Sequence, residues 1–205
     1  MKTLGIKMDE KIILTVSRLM ERKGQDIVIK TLPIVKKKFP NIKYILVGTE
    51  VIGNEKDKLQ KLVKKFDLED VVIFAGSVNN NGLLDYYTLC NVFILTPKEV
   101  RTGNFLDVEG FGIVYLEAGC CEKPVIGSKS GGVPDAVMDD KTGLLVDPGD
   151  VKQTAEAILR LFEHPELGKK LGKHARKRVV EELNWKNISQ KILKIYRTIS
   201  SSYKA

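Results

Sequence analysis

The chain has 205 residues, 43% of them hydrophobic and 29% charged, with a formal net charge of +8. Such a length and apolar content can bury a substantial core and exclude a disordered chain, while no apolar stretch is long enough to cross a bilayer and no cationic and apolar leader follows Met1, so the expectation is a cytoplasmic protein. The excess of cations suits an anionic partner, but no aromatic-and-basic recognition motif marks a nucleic-acid surface, and Lys36 to Lys38 and the cations from Lys169 to Arg178 read as solvated helix faces.

Lys11 to Val16 is a short apolar run with the pattern of a buried strand, followed by the loop Arg18 to Gly24. A helix comes next. Its apolar positions Ile27, Val28, Leu32 and Val35 recur at helical spacing, with a distortion expected at Pro33 and an end at Phe39-Pro40-Asn41. Tyr44 to Val47 is a second strand, broken by Gly48, and a polar segment then leads into a helix carrying Leu59, Leu62, Val63 and Phe66. A third strand, Val71 to Phe74, runs into Ala75-Gly76-Ser77-Val78, and a helix near Leu83 to Leu89 precedes the fourth, Val92 to Leu95. Thr96 to Val108 reads as a long loop, and at that length a loop in a compact domain is usually functional. Beyond a helix through Cys121, Pro124 to Ile126 and Gly143 to Val146 are the fifth and sixth strands, with Gly131-Gly132-Val133-Pro134 turning into a helix start between them. From Asp150 the pattern is helical, punctuated at His164-Pro165 and ending in an amphipathic piece from Trp185 to about Ile199. The alternation predicts an α/β domain with a mostly parallel six-stranded sheet covered on both faces.

The chemistry concentrates in Glu109-Gly-Phe-Gly-Ile-Val-Tyr-Leu-Glu117. Gly110 and Gly112 let backbone approach a ligand closely, and a helix starting near Gly112 points unpaired N–H groups and a partial positive charge at it. Glu109 precedes that helix and Glu117 lies within it, so two carboxylates can flank one polar ligand. In open α/β sheets, ligands bind at the carboxyl ends of the strands where the strand order reverses. That gathers Arg18, Lys23, Gly48, Gly76, Val78, Glu109 and Glu117 into one neighbourhood. Two cations and a helix start suit a phosphate or diphosphate, whereas two carboxylates suit hydroxyl donors, as on ribose and a sugar. A nucleotide sugar carries both kinds of group.

Glu117, flanked by Leu116 and Ala118, would be poorly solvated without a ligand or partner. Gly131 and Gly132 read equally as part of the site or as turn glycines, and Tyr115 reads as packing. Cys90, Cys120 and Cys121 lack metal-type spacing and lie in apolar segments, so they read as buried thiols, and neither a metal nor a cofactor is expected.

Ser17-Arg18-Leu19, Lys23-Gly24, Glu109 with seven residues before Glu117, Ser130-Gly131-Gly132-Val133-Pro134-Asp135 and Gly143-Leu144-Leu145-Val146 together resemble the carboxyl-terminal, Rossmann-like domain of the family 4 retaining glycosyltransferases of GT-B fold. The resemblance covers nearly the whole chain. It implies that Arg18 and Lys23 hold the donor diphosphate and stabilise charge on the leaving group. Glu109 would contact hydroxyls of the transferred sugar, with backbone N–H groups of Phe111, Gly112 and Ile113 as further donors, and Glu117 would accept from the ribose. Gly48, Ala75, Gly76 and Val78 match positions bordering the base.

The same resemblance implies a nucleoside diphosphate sugar as substrate, GDP-mannose favoured over UDP-glucose and related donors, and a glycan or lipid acceptor, a lipid acceptor bringing peripheral contact at the cytoplasmic membrane face. It further implies an amino-terminal acceptor-binding domain or subunit that this chain lacks, so that the chain alone transfers nothing. Residues 185–199 resemble the helix that crosses back to that domain, leaving an apolar face partly uncovered. The competing reading is a stand-alone nucleotide- or partner-binding module without catalysis. Nucleic-acid binding ranks last.

Overall fold

A computed structural model describes residues 6–50 and 53–202. Six parallel strands form one sheet, β1 (Lys11–Val16), β2 (Ile42–Val47), β3 (Val72–Gly76), β4 (Val92–Ile94), β7 (Val125–Ser128) and β8 (Leu144–Val146), ordered β3-β2-β1-β4-β7-β8. The chain moves outward from β1 to β3, then crosses back to place β4 on the other side of β1. The strand order therefore reverses between β1 and β4, where such sheets take their ligands.

The strands are buried on both faces, which is why they read as unbroken apolar runs rather than alternating ones. Along β1, Ile13 faces one core with α1 (Gln25–Lys38), α2 (Glu55–Lys65) and α6 (Val151–Glu163), while Ile12 and Leu14 face the other with α3 (Asn80–Leu89), α4 (Ile113–Cys120) and α5 (Val133–Ala136). The last two helices are α7 (Pro165–Glu181) and α8 (Trp185–Ser202). The predicted order of strands and helices stands.

Helix α1 continues through Pro33 and ends at Lys38, with fully buried Ile29, Leu32 and Val35 holding it in the core across the missing hydrogen bond. Three local expectations change. Thr96 to Val108 is no bare loop: it contains an antiparallel hairpin, β5 (Val100–Thr102) and β6 (Phe105–Asp107), too short and exposed to leave an apolar pattern. Cys90 is buried, but Cys120 and Cys121 are half-buried at the end of α4. Nor are all the α7 cations a solvated face. Arg178 donates to the carbonyls of Asp135 and Ala136, both at 2.8 Å, and Arg176 donates to the carbonyl of Cys120, so the two clamp α7 onto α4 and α5.

Helix α8 exposes Trp185, Ile192, Leu193, Ile195, Tyr196 and Ile199, leaving an apolar face uncovered among the described residues. No helix among the described residues is long and apolar enough to cross a membrane.

Candidate functional site

The loop after β1 is closed on itself before it reaches the site. Gln25, at the start of α1, donates through Nε2 to Ser17 Oγ at 3.0 Å and to the Arg18 carbonyl at 2.9 Å, joining both ends of the loop. Between them a 3-10 turn, Glu21–Lys23, ends at Gly24. A Cβ on Gly24 would lie 1.9 Å from the Thr96 carbonyl oxygen, so this loop seats directly on the end of β4. Lys98 N–H donates to the Arg22 carbonyl at 2.8 Å, tying the loop after β4 to the same turn. The two loops that flank the reversal point thus form one unit.

Lys23 and Glu109 meet inside it. Lys23 Nζ lies 2.5 Å from Glu109 Oε2, and Arg22 Nη1 reaches the same oxygen at 2.9 Å. Arg22 Nε also pairs with Asp107 Oδ1 at 2.8 Å. The side chains of Arg22, Lys23 and Glu109 are close to nine-tenths buried, and two cations face two carboxylates in a balanced quartet. Arg22 and Asp107 carried no assigned role in the sequence, since nothing local shows that residue 22 meets residues 107 and 109. Arg18, by contrast, is exposed and has no ion pair among the described residues. It does not join the quartet.

Burial pushes the Glu109 carboxyl up, but the hydrogen bond and charge of Lys23, then those of Arg22, outweigh it and hold the group below its ordinary value of 4.5. A carboxylate whose folded-state pKa is depressed contributes stability above its unfolded-state pKa and loses it as pH falls through the folded-state value. Thermal unfolding at stepped pH should therefore show wild type more stable than Glu109→Gln near neutrality, with the gap narrowing as pH drops below 4.5. Parallel curves for the two proteins would mean that the ionised Glu109 carboxylate is not favoured by folding.

Helix α4 opens beside this cluster. Gly112 caps it in the left-handed region, at φ 85°, and its α-hydrogen side faces the Tyr115 ring, which an added Cβ would strike at 2.4 Å. The N–H groups of Phe111, Gly112 and Ile113 find no acceptor among the described residues, leaving the helix start open to an anion. The glycine pair packs against the backbone before α4: Gly132 N–H donates to the Glu109 carbonyl at 2.9 Å, and a Cβ on Gly132 would lie 1.9 Å from the Gly110 carbonyl oxygen.

The remaining predicted positions fall into two groups. Gly48 N–H donates to the Gly76 carbonyl at 2.7 Å, which brings Gly48 together with half-buried Ala75, Gly76 and Val78 at the ends of β2 and β3. Glu117 sits in the second turn of α4 and accepts a hydrogen bond at 2.6 Å from Tyr87 of α3, a partner not foreseen for it. Tyr115 is packing, as expected, with its hydroxyl donating to the Leu95 carbonyl at 2.6 Å.

This architecture is the Rossmann-like carboxyl-terminal domain of the GT-B fold. Anabaena Alr3699/HepE, solved in complex with UDP and glucose, matches it with a TM-score of 0.82 at 25% identity, covering 96% of this chain and 50% of that one. A family model described as glycosyl transferases group 1 matches residues 1–178, and the chain belongs to that family. A Mycolicibacterium smegmatis protein named GDP-mannose-dependent alpha-(1-6)-phosphatidylinositol monomannoside mannosyltransferase is 34% identical over 178 residues, 87% of this chain and 45% of that protein. The Bacillus anthracis N-acetyl-alpha-D-glucosaminyl L-malate synthase is 31% identical over 199 residues, 97% of this chain and 47% of that protein. The chain spans about half the length of these relatives.

Proposed function

We propose that this chain is the donor-binding half of a retaining glycosyltransferase, which takes a hexose, mannose favoured, from a nucleoside diphosphate sugar and passes it to a glycan or lipid acceptor. The observation that carries the reading is the joining of Lys23 to Glu109 beside the open start of α4, at the point where the strand order reverses. Cations and free N–H groups for a diphosphate stand next to a carboxylate for sugar hydroxyls.

The charge state of Glu109 bears on its role. Held ionised by Lys23 and Arg22, it accepts hydrogen bonds from hydroxyls at neutral pH and has no proton to give a leaving group. Leaving-group stabilisation then falls to Arg18, Lys23 and the N–H groups of Phe111, Gly112 and Ile113, whose hydrogen bonds strengthen as negative charge gathers on the departing diphosphate. Glu117 holds ribose, and Gly48, Ala75, Gly76 and Val78 border the base. The acceptor site belongs to an amino-terminal domain or subunit, for which the uncovered face of α8 is the docking helix, so the chain alone binds donor and transfers nothing. The mannosyltransferase relative is named as GDP-mannose-dependent and for a phosphatidylinositol monomannoside, which favours GDP-mannose as donor and a lipid acceptor at a membrane surface.

Calorimetric titration with UDP, GDP, UDP-glucose and GDP-mannose tests the proposal. Binding of a nucleoside diphosphate in the micromolar range, with one of the two sugars bound in preference, is the expected result. If none of the four binds at millimolar concentration, the reading fails.

A further inference from the structure

The Tyr87–Glu117 hydrogen bond has a feature that simple core satisfaction does not explain. A buried tyrosine hydroxyl needs an acceptor, and a backbone carbonyl suffices, as Leu95 does for Tyr115 in the same core. Tyr87 instead donates to one oxygen of a half-buried carboxylate, Glu117 Oε2, at 2.6 Å. The other oxygen, Oε1, accepts nothing among the described residues. A helical glutamate has three side-chain torsions, and fastening one oxygen fixes the direction in which the other points.

The tyrosine itself is held in place. It is only 3% exposed, its ring lies 5.8 Å from that of Phe93, and Phe93 meets Tyr115 edge-on at 5.7 Å. The three rings form a row beneath α4, with Tyr115 abutting the Gly112 cap at the helix start. Burial, then the hydrogen bond and charge of Glu117, keep the phenol protonated far above neutrality, so it acts only as a donor. The row therefore connects the mouth of α4 with the carboxylate one turn further along.

We propose that Tyr87 is a positioning residue, which aims the free oxygen of Glu117 at a ribose hydroxyl of the donor nucleotide. The inference rests on reading Glu117 as the ribose acceptor, and the test separates the two. UDP and GDP are titrated beside their 2′-deoxy and 3′-deoxy counterparts, with wild type, Tyr87→Phe, Glu117→Ala and the double variant. A hydrogen bond to a charged group is worth enough that wild type should prefer one ribonucleotide over its deoxy form by about tenfold or more.

Tyr87→Phe leaves the aromatic row in place and should cut that preference to about threefold or less, while binding of the deoxy form changes little. In the Glu117→Ala background, adding Tyr87→Phe should alter the preference no further. A structural role would instead weaken ribo and deoxy forms equally and leave their ratio intact, and that outcome overturns the proposal. A wild type with no preference between ribo and deoxy forms removes the ribose reading of Glu117 itself, and the positioning role with it.

Discussion

Gly132→Ala is expected to destabilise the chain by about 3 kcal/mol and to weaken UDP binding more than tenfold. The cause is space and not backbone conformation. Gly132 has φ −87° and ψ 11°, which any residue adopts, but its Cβ would fall 1.9 Å from the Gly110 carbonyl oxygen and 3.4 Å from the Phe111 Cα. Both are backbone atoms, so no side chain can swing aside. One segment must move, and α5 is the poorer candidate because Val133 and Ala136 are buried in the core. The stretch from Glu109 to Ile113 then shifts, taking with it the Glu109 carboxylate, the hydrogen bond from Gly132 N–H and the open start of α4. Gly149→Ala is the control: it sits at φ 81° with no neighbour within 4 Å of an added Cβ, so it bears about 1 kcal/mol of backbone strain and leaves the site alone. Urea unfolding gives the two stabilities and calorimetry the two affinities. A Gly132→Ala protein as stable as wild type would show that the two loops are not pressed together as the geometry requires.

What was legible beforehand and what was not divide along a physical line. Strands such as β1, buried on both faces, announce themselves as continuous apolar runs, and helix starts and ends are written in Gly24, Gly112 and His164-Pro165. The hairpin of β5 and β6 is invisible in that language, since Arg101, Thr102, Phe105 and Leu106 all face outward and share no periodic face. Likewise, the sequence marks Lys23 and Glu109 as site residues by their motifs, yet gives no sign that Lys23 is already bound to Glu109 or that Arg22 bridges Glu109 and Asp107. Those pairings span more than 80 residues and depend on where β1 and β4 end. Nothing in the sequence singles out Tyr87 in α3, and only the fold brings its hydroxyl to Glu117 of α4. Arg178 was hidden for the same reason: a cation in a cationic helix has no signature of the carbonyls it will meet.

The two cations assigned to the diphosphate should separate under mutation, because the structure places them in different electrostatic settings. Arg18→Ala is expected to lower UDP affinity by roughly 10- to 100-fold, the worth of one or two charge-assisted hydrogen bonds, and to leave unfolding unchanged. Arg18 is exposed and pairs with no carboxylate among the described residues, so its removal takes no ion pair from the fold and the variant reads the proposed diphosphate contact alone. Lys23→Ala should weaken UDP by a similar factor and also destabilise the chain, since it strips one of two cations from a buried carboxylate. The double variant Lys23→Ala with Glu109→Gln should recover part of the lost stability without recovering affinity, because it removes the stranded charge but restores no phosphate contact. Loss of UDP affinity at Arg18 with no change at Lys23 would mean that Lys23 remains committed to Glu109 throughout and serves only to keep that carboxylate ionised. The reverse result would place the diphosphate inside the quartet, away from the exposed arginine, and would move leaving-group stabilisation onto Lys23 and the backbone N–H groups at the start of α4.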